Sequence, residues 1–323
     1  MTETREDEKT HVTRISVPDD APPVLASSAI WPALQARADL DYHDTLPGSE
    51  EGLIQRIREA AIVLNIRSSS RFTARVFEAC PNLRLLSVWG TGVDHIDLPA
   101  AARTGVTVTN TPGVSAVSIA EHALALLLAV ARRIPHIDAA TRAGAWERGR
   151  FVELRGKTCG VIGYGAIGRE FARLAAGIGM KVLLWTMHPE RYPNVAFTDL
   201  HEIYRTADVI SLHLRLSPQA ENFVGAAQFA MMKPSAILIN TARGAIVHEP
   251  SLVEVLSEGR IAGAGLDVFT TEPLPKGHPI TLLGNVVLTP HCAGITPEAL
   301  EAGLALAVEN IWAFLRDEPA HVV

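Results

Sequence analysis

Cysteine is scarce in this sequence, and the few cysteines present are far apart. Cys80, Cys159 and Cys292 are too few and too scattered to form a disulfide framework or a zinc cage. The chain is therefore not a small disulfide-stabilised secreted domain, and no resident metal ion is expected. A reducing, cytoplasmic setting fits this cysteine usage.

Positive charge and long apolar runs are also lacking. The 29 Lys and Arg residues are outnumbered by 35 Asp and Glu residues, and the net charge of -6 gives no basic footprint for nucleic acid. The most apolar helical stretch, residues 123–131, is too short to span a bilayer. No apolar leader segment is visible near the N-terminus. We therefore expect neither a nucleic-acid partner nor a membrane partner.

The composition is that of a globular protein long enough for two domains. Of the 323 residues, 48% are hydrophobic and 20% are charged, which are ordinary values for folded domains. Residues 1–14 are the exception, because they are charged and nearly free of apolar side chains. We expect this segment to be a disordered tail.

Short apolar runs alternate with helical patterns from Ile15 onward, which is typical of α/β domains with a parallel sheet. In the first part of the chain, the predicted strands are residues 61–64, 83–88 and 106–108, and the predicted helices are residues 51–60 and 71–79. A long helix is predicted over residues 115–133, with apolar side chains almost all round. Such a helix should be buried between domains or against a second subunit.

A second series of strands and helices begins at Thr158. Its predicted strands are residues 159–162, 181–185, 209–212, 236–239, 262–266 and 286–288. This number of strands, with helices between them, is that of a complete dinucleotide-binding sheet. One more helix with an apolar stripe is predicted over residues 297–315.

A glycine-rich turn follows the first strand of this second series. Gly163, Gly165 and Gly168 form the pattern G-x-G-x-x-G between an apolar strand and a helix. In such a turn Gly163 permits the tight bend, Gly165 lets a pyrophosphate approach the backbone, and Gly168 lets the helix pack on the strand. The helix N-terminus then stabilises the phosphate charge. The motif alone is weak, but its flanking strand and helix predict dinucleotide binding.

The acidic residue that normally ends the second strand of such a sheet is absent. That residue accepts hydrogen bonds from the adenosine ribose, and here Thr186 stands in its place. Thr186 can bond a ribose hydroxyl without repelling a 2′-phosphate. His188 and Arg191 follow closely, and they either pair with such a phosphate or are solvated loop residues. NAD and NADP are both compatible with this segment.

Three segments, each following a predicted strand, contain the groups needed to transfer hydride to a 2-oxo acid. Arg243, Glu272 and His291 lie in these segments, and successive strand ends of a doubly wound sheet open onto one crevice. A histidine is the natural acid–base group near neutral pH, and a neighbouring carboxylate favours its protonated form and orients it. An arginine offers a bidentate fork to the substrate carboxylate. Each residue alone has an ordinary structural explanation, but all three at one sheet edge predict catalysis.

The order of these motifs resembles the D-isomer-specific 2-hydroxyacid dehydrogenase family, which includes phosphoglycerate dehydrogenases and glyoxylate/hydroxypyruvate reductases. The resemblance runs from about Val63 to the C-terminus and is poor over residues 15–46. Its motifs are Gly90 to Asp97, Asn110 to Gly113, Ala120 to His122, the glycine turn, Met232 to Pro234, Asn240 to Gly244, Leu266 to Pro273 and Thr289 to His291.

The resemblance implies a fold of two doubly wound parallel-sheet domains, in which a Rossmann-type cofactor domain is inserted into a flavodoxin-like substrate domain. Residues 15–112 and 295–323 would form the substrate domain, and residues 113–294 would form the dinucleotide-binding domain. The resemblance also supports a homodimer, which we place at the helix region of residues 115–133.

The resemblance gives each member of the trio a role. Arg243 would orient the substrate, Glu272 would be the partner of the histidine, and His291 would be the acid–base. Backbone amides at Thr91 and Gly92 would hold the substrate carboxylate.

The cofactor contacts implied by the resemblance lie in the inserted domain. Asp267 would bond the nicotinamide carboxamide. The other cofactor residues would be Gly163, Gly165, Ala166, Ile167, Gly168, Thr186, Thr241, Ala242 and Gly294.

The function predicted on these grounds is interconversion of a small D-2-hydroxy acid and its 2-oxo acid, with NAD or NADP as hydride carrier. Glu272 argues against formate oxidation, because formate dehydrogenases carry glutamine there, and the loop at Gly90 lacks the lysine expected for phosphite oxidation. The alternative from another class is a nucleotide-sensing, corepressor-like binding protein on the same fold. Arg67 and Arg215 are either ligand contacts or surface residues.

Overall fold

The chain folds into two compact units. A computed structural model describes residues 13–323. One unit is formed by the chain up to Val114 together with Pro297–Val323, and the other by Ser115–Thr296. These boundaries lie two residues beyond the predicted domain limits.

The first unit is built on a parallel sheet. Its strands are β1 (Thr13–Val17), β2 (Ala38–Tyr42), β3 (Ile62–Asn65), β4 (Leu85–Val88) and β5 (Thr107–Thr109). They lie in the order β2-β1-β3-β4-β5, and every neighbouring pair is parallel. This is the flavodoxin-like order that was predicted. β3 and β4 are buried along their whole length, as expected for a parallel sheet with both faces covered.

Strand β1 begins earlier than predicted. The prediction that the tail extends to Arg14 is wrong, because Thr13 pairs with Ala38 and Arg14 with Asp39 of β2. Backbone groups make these ladder bonds, so polar side chains at partly exposed positions do not prevent strand formation. The rest of the predicted tail lies outside the described residues.

Short helices connect the strands of the first unit. They are α1 (Trp31–Gln35), α2 (Glu50–Ile57), α3 (Ala74–Ala79) and α4 (Leu98–Arg103). Side chains fix two of the helix starts, because Ser49 Oγ accepts a hydrogen bond from Gly52 N at 3.1 Å and Asp97 Oδ1 accepts one from Ala100 N at 2.9 Å. Such caps satisfy N–H groups that the first helical turn leaves without a partner.

The second unit is built on a larger parallel sheet. Its strands are β6 (Thr158–Ile162), β7 (Lys181–Trp185), β8 (Val209–Leu212), β9 (Ile237–Asn240), β10 (Gly263–Leu266) and β11 (Val286–Leu288). They lie in the order β11-β10-β9-β8-β6-β7, and all six predicted strands are confirmed to within one residue. The strand order reverses at β6, and ligands of such sheets bind at the carboxyl ends of the strands next to this point.

Helices cover both faces of this sheet. They are α5 (Ala116–Arg132), α6 (Ile134–Arg142), α7 (Ala166–Gly177), α8 (Leu200–Thr206), α9 (Ala226–Met231) and α10 (Glu249–Ser257). The last helix, α11 (Pro297–Leu315), belongs to the first unit, where Ser87 Oγ of β4 donates a hydrogen bond to Ala307 O at 2.8 Å. Every helix within residues 13–323 is too short or too polar to traverse a bilayer.

Helix α5 is buried against the sheet of its own unit. Ala123 and Leu127 have no exposed surface. Gly265 of β10 permits the close contact, because a Cβ added there would lie 2.9 Å from Leu126 Cβ. Packing within the unit therefore explains the apolar character of this helix without a second subunit.

Asp208, directly before β8, joins three segments of the second unit. Its carboxylate accepts hydrogen bonds from Thr158 N at 2.9 Å and from Lys233 Nζ at 3.0 Å. Burial raises the pKa of Asp208, but the Thr158 amide and the Lys233 ammonium outweigh burial, so the pKa lies below the ordinary carboxyl value. The ionised carboxylate ties the start of β6 to the loop before β9.

Candidate active site

The glycine turn joins β6 to α7 at the carboxyl edge of the second sheet. Gly163 has a φ of +104°, and a Cβ added there would lie 2.5 Å from the carbonyl oxygen of His213. A Cβ at Gly168 would overlap the Gly163 carbonyl. Gly165 differs, because no atom lies within 4 Å of a Cβ built there. Packing therefore requires two of the glycines, whereas Gly165 leaves open space beside the turn.

This open space lies at the N-terminus of α7. The first helical turn has unpaired N–H groups, and the helix dipole attracts negative charge there. Ala166 is exposed and Ile167 is half-buried in this turn. The turn therefore fits the pyrophosphate of a dinucleotide, with Gly165 as the point of close approach.

The loop after β7 has no carboxylate at its first position. Thr186 is partly exposed, and its Oγ1 accepts a hydrogen bond from His188 N at 3.3 Å. Glu190 contacts both basic groups of the loop, since its Oε1 lies 3.3 Å from His188 Nδ1 and 4.0 Å from Arg191 Nε. The side chains of His188, Glu190 and Arg191 are all exposed. The Thr186 hydroxyl is compatible with a ribose hydroxyl and with a 2′-phosphate.

The segment after β9 contains a buried hydroxyl without a protein partner. Thr241 is buried, and its Oγ1 forms no hydrogen bond with any residue in the described part of the chain. Burying a hydroxyl costs free energy unless a ligand or water satisfies it, so Thr241 fits a cofactor-facing position. Asn240 holds the turn, because its Oδ1 accepts from Ala242 N at 3.0 Å and its Nδ2 donates to Arg243 O at 2.9 Å.

His291 and Glu272 form a hydrogen-bonded pair. His291 Nδ1 lies 2.7 Å from Glu272 Oε2, and the side chains are 41% and 35% exposed. Burial raises the pKa of Glu272, but the hydrogen bonds from His291 and from Phe269 N, together with the charge of Arg243, lower it below the ordinary value. Glu272 is therefore ionised at neutral pH and engages Nδ1, which leaves proton exchange to Nε2.

Arg243 lies near this pair because two loops approach closely. A Cβ at Gly244 would overlap the backbone of Phe269, so glycine is required where the Arg243 turn meets the loop that carries Glu272. The positive charge of Arg243 lowers the pKa of the Glu272 carboxyl group. The structure thus brings Arg243, Glu272 and His291 to one edge of the second sheet.

The backbone of His291 is left-handed, with a φ of +52°, which is uncommon for a residue with a Cβ. Asp267 anchors this turn. The His291 amide donates to the Asp267 carbonyl at 2.8 Å, and the amides of Cys292 and Ala293 donate to the two Asp267 carboxylate oxygens at 2.9 Å. Thr289 Oγ1 adds a hydrogen bond of 2.6 Å to the same carboxylate.

This anchoring role of Asp267 was not predicted from the sequence. The Asp267 side chain is only 1% exposed. Its carboxylate accepts hydrogen bonds from groups of the turn that carries His291. Its contact with a nicotinamide carboxamide stays a prediction, as does the cofactor contact of Gly294, which is partly buried at the end of the same turn.

The loop predicted to bind the substrate carboxylate lies after β4 in the first unit. Thr91 Oγ1 donates to Thr111 O at 3.2 Å, and Asn110 Nδ2 donates to Thr91 O at 2.8 Å. The segment after β5 therefore holds this loop in place. Within residues 13–323, the backbone amides of Thr91 and Gly92 are not paired with a protein acceptor, so both are suited to bind an anion.

The two arginines whose roles the sequence left open have different surroundings. Arg67 Nη2 donates to Pro22 O and lies 4.0 Å from Asp20 Oδ1, and its side chain is 15% exposed. Arg67 is therefore an internal partner of a buried acid and not a solvent-facing residue. Arg215 is exposed in the loop after β8.

A buried polar network in the first unit was missed by sequence reasoning. Asp19 is fully buried and accepts hydrogen bonds from Asn65 Nδ2 and from Ile66 N, and Asn65 Oδ1 lies 2.9 Å from His95 Nε2. Burial raises the pKa of Asp19 despite these hydrogen bonds. The available signal was the pair of adjacent carboxylates, Asp19 and Asp20, just after an apolar run.

Known proteins resemble the chain in sequence. The family model described as "D-isomer specific 2-hydroxyacid dehydrogenase, NAD binding domain" matches residues 124–293. A glyoxylate reductase of Thermofilum pendens is 39% identical over 299 residues, which are 88% of this chain and 88% of that protein. A D-3-phosphoglycerate dehydrogenase of Methanocaldococcus jannaschii is 39% identical over 282 residues, which are 85% of this chain and 53% of that protein.

A solved structure is similar to the chain as well. An acyclic imino acid reductase in complex with NADPH and D-Arg aligns with a TM-score of 0.90 and 32% sequence identity, covering 96% of this chain and 100% of that chain. The similarity therefore extends over the sequences of both units.

Proposed function

Because the chain belongs to the D-isomer-specific 2-hydroxyacid dehydrogenase family, we propose that Arg243, Glu272 and His291 interconvert a small D-2-hydroxy acid and its 2-oxo acid. The enzyme acts on a CH–OH group with NAD or NADP. The observation that supports this assignment best is the 2.7 Å hydrogen bond between His291 Nδ1 and Glu272, beside the charge of Arg243.

His291 is the general acid–base in this mechanism. Glu272 accepts the hydrogen bond of Nδ1, so Nε2 gives a proton to the carbonyl oxygen during reduction and takes one from the hydroxyl during oxidation. Arg243 polarises the carbonyl and binds the carboxylate through its fork of N–H groups. When bound, the nicotinamide cofactor supplies or accepts the hydride.

Backbone groups complete the proposed substrate site. The amides of Thr91 and Gly92 hold the substrate carboxylate, which they can do without losing a protein partner. Two N–H donors can bind any carboxylate. They therefore recognise the carboxylate that all candidate substrates share, and other residues must select the side chain of the substrate.

The proposed cofactor site follows the carboxyl edge of the second sheet. Gly163, Gly165, Ala166, Ile167 and Gly168 hold the pyrophosphate. Thr186 binds the adenosine ribose, and the nicotinamide end is bound by Thr241, Ala242, Asp267 and Gly294. The open space at Gly165 and the unpaired hydroxyl of Thr241 support this placement.

The test is a panel of 2-oxo acids assayed with NADH and NADPH in parallel. Glyoxylate, hydroxypyruvate, pyruvate and longer 2-oxo acids are included, and an acyclic 2-imino acid is added because one similar structure is an imino acid reductase. Oxidation of the reduced cofactor with at least one 2-oxo acid is expected. Tight cofactor binding without turnover on any member would instead favour the nucleotide-sensing, corepressor-like alternative.

We also propose a homodimer formed by the region that begins with α5. Helix α6 has no buried residue, Ile134 is 53% exposed and Trp146 is 77% exposed. Val117 on α5 is 54% exposed. These residues follow one another along the chain, and exposed apolar surface is a feature of protein interfaces. The outward side of α5 and the segment after it, not the buried face of α5, therefore support the proposed contact.

A further inference from the structure

Three side chains of different chemistry converge beside the turn that carries His291. They are His122 on α5, Asp267 after β10, and Cys292. Their nitrogen, oxygen and sulfur atoms all lie within 4.8 Å of one another, and His122 Nε2 is 3.6 Å from Asp267 Oδ1. The proposed mechanism uses neither His122 nor the Cys292 thiol.

This set of ligand atoms matches the preferences of zinc. Zinc binds imidazole nitrogen, thiolate sulfur and carboxylate oxygen, whereas magnesium and calcium prefer oxygen alone. With bonds of about 2.0–2.3 Å, tetrahedral geometry places neighbouring ligand atoms roughly 3.3–3.6 Å apart. The spacing between His122 and Asp267 is already close to this value. The spacings to the Cys292 sulfur must shorten by at most roughly 1 Å, which rotation of the Cys292 side chain can supply.

The surroundings of the cluster also suit a cation. The Asp267 carboxylate is 1% exposed and the His122 side chain 23% exposed, and Cys292 is partly exposed. An ion can therefore arrive from solvent at nitrogen and sulfur and contact the buried carboxyl group of Asp267. Zinc binds the thiolate form of cysteine, so the ion would take the place of the Cys292 thiol proton.

The Thr289 hydroxyl lies between two of the proposed ligands, His122 and Asp267. Its Oγ1 lies 2.9 Å from His122 Nε2 and donates to Asp267 Oδ1 at 2.6 Å. Zinc binding requires His122 to exchange this hydroxyl for the ion. The exchange replaces one hydrogen bond of His122 by a metal–ligand bond.

We infer that His122, Asp267 and Cys292 form a zinc-binding site, with the fourth position open to water, and that zinc bound there inhibits the enzyme. Inhibition follows because Asp267 anchors the turn of His291 and is the proposed partner of the nicotinamide. This second clause rests on the proposed function, whereas zinc binding does not.

Binding is tested on the metal-free full-length chain with Zn²⁺ in a calorimeter and with Co²⁺ as a spectroscopic probe. We expect a thiolate-to-cobalt absorption band, and we expect Cys292→Ser to remove it and to weaken Zn²⁺ binding at least about tenfold. Cys80→Ala, which removes a buried cysteine of the first unit, should change neither. His122→Gln is the second ligand variant. A wild-type protein without the band, or equal Zn²⁺ affinity in Cys292→Ser, would overturn the site.

Inhibition is tested by titrating NADH and NADPH with and without Zn²⁺, followed by cofactor fluorescence. Zinc should weaken cofactor binding at least about tenfold in the wild type, a chelator should reverse this, and Cys292→Ser should resist it. Zinc binding with unchanged cofactor affinity would refute the proposed inhibition but not the proposed zinc site. If no 2-oxo acid is reduced even without metal, the proposed function fails, while the cobalt band still decides the site.

Discussion

In the proposed mechanism, Glu272 determines which nitrogen of His291 exchanges the proton. Its carboxylate is ionised at neutral pH because His291, Phe269 N and Arg243 together outweigh the effect of burial on its pKa. A carboxylate on Nδ1 fixes the ring and stabilises the imidazolium that forms during oxidation. The residue pair therefore works as one acid–base unit, and each member is of little use without the other.

His291→Ala is expected to lower kcat by about 10²–10⁴-fold, the usual effect of losing a positioned acid–base group. Cofactor affinity should stay within about twofold, because the imidazole contributes to proton transfer rather than to dinucleotide binding. Steady-state kinetics and fluorescence titration measure the two effects. His201→Ala, which removes an exposed histidine of α8, is the control. Unchanged turnover in His291→Ala would refute the assignment.

Thr186→Asp tests the cofactor choice at a single position. The new carboxylate should accept hydrogen bonds from the ribose of NADH and repel a 2′-phosphate, so NADPH binding should weaken relative to NADH binding by at least about tenfold. Dissociation constants from fluorescence titration give the ratio. Thr186→Ser keeps the hydroxyl and should leave the ratio unchanged. An equal loss of affinity for NADH and NADPH would show that the adenosine ribose does not bind at Thr186.

Glycines control how closely the elements of the second unit approach. Gly265 lets α5 lie on β10, Gly244 lets two strand-end loops meet, and Gly168 lets α7 pack beside the turn. In each case a Cβ would meet atoms that are part of another backbone or a core side chain. The shape of the site thus depends on places where no side chain is present.

Gly165→Ala and Gly168→Ala form a matched pair in this turn. A Cβ at Gly165 meets no atom within 4 Å, so the variant should unfold like the wild type but bind cofactor at least about tenfold more weakly. A Cβ at Gly168 overlaps the Gly163 carbonyl, and that variant should lose about 2 kcal/mol or more of stability. Thermal unfolding and cofactor titration separate the two. Normal cofactor affinity in Gly165→Ala would contradict the proposed pyrophosphate position.

The Asp208 contact gives a pH-dependent contribution to stability. Its pKa is lowered in the folded state, so the stabilisation is present above the ordinary carboxyl value of 3.8 and is lost as pH falls through the folded-state pKa. Asp208→Asn should therefore cost about 1–2 kcal/mol at neutral pH and less at pH 3, where part of this stabilisation is already lost. Urea unfolding at both pH values measures the difference. Glu258→Gln, in an exposed pair with Arg260, should have little effect at either.

The elements of the second unit were easier to predict than those of the first. Strands of a parallel sheet give short, mostly apolar runs, and β6 to β11 all have this pattern. Strands β1 and β2 were not assigned, because polar residues interrupt them. Helix α6 was not predicted, since it begins after Arg133, whose left-handed backbone has no sequence signal such as glycine.

The candidate site shows the same limit of prediction. Residues that follow a strand could be found in the sequence because strand ends of a parallel sheet meet at one edge. The hydrogen-bond network around Asp267 could not, because it joins the loop after β10 to Thr289 and Cys292 of the turn after β11, and His122 reaches it only through the packing of α5 on the sheet. Such contacts depend on the position of a helix to within a fraction of a turn.

At the scale of the whole molecule, the chain crosses between its two units twice. It leaves the first unit after Val114 and returns at Pro297. Catalytic candidates lie in the second unit and the carboxylate-binding candidates at Thr91 and Gly92 lie in the first. Each unit therefore carries part of the residues that the proposed function uses.

The proposed dimer is tested by mass in solution. Light scattering of the wild type should give about twice the chain mass of 34.7 kDa. Ile134→Asp places a charge among the exposed apolar side chains near α6 and should shift the protein to monomers, because an unpaired buried charge is costly at an interface. Leu282→Asp changes another exposed apolar residue, 81% exposed, and should leave the mass unchanged. A monomeric wild type at micromolar concentration would contradict the proposal.

Under the proposed mechanism, the left-handed backbone at His291 means that the residue best for catalysis is not the residue best for stability. Glycine adopts a φ of +52° without strain, whereas any residue with a Cβ is destabilised there. Glycine at position 291 would therefore fold better than alanine and would be equally unable to exchange a proton. Laboratory selection for heat resistance alone would favour the loss of the imidazole. Any effort to stabilise this enzyme by selection must therefore keep activity in the screen.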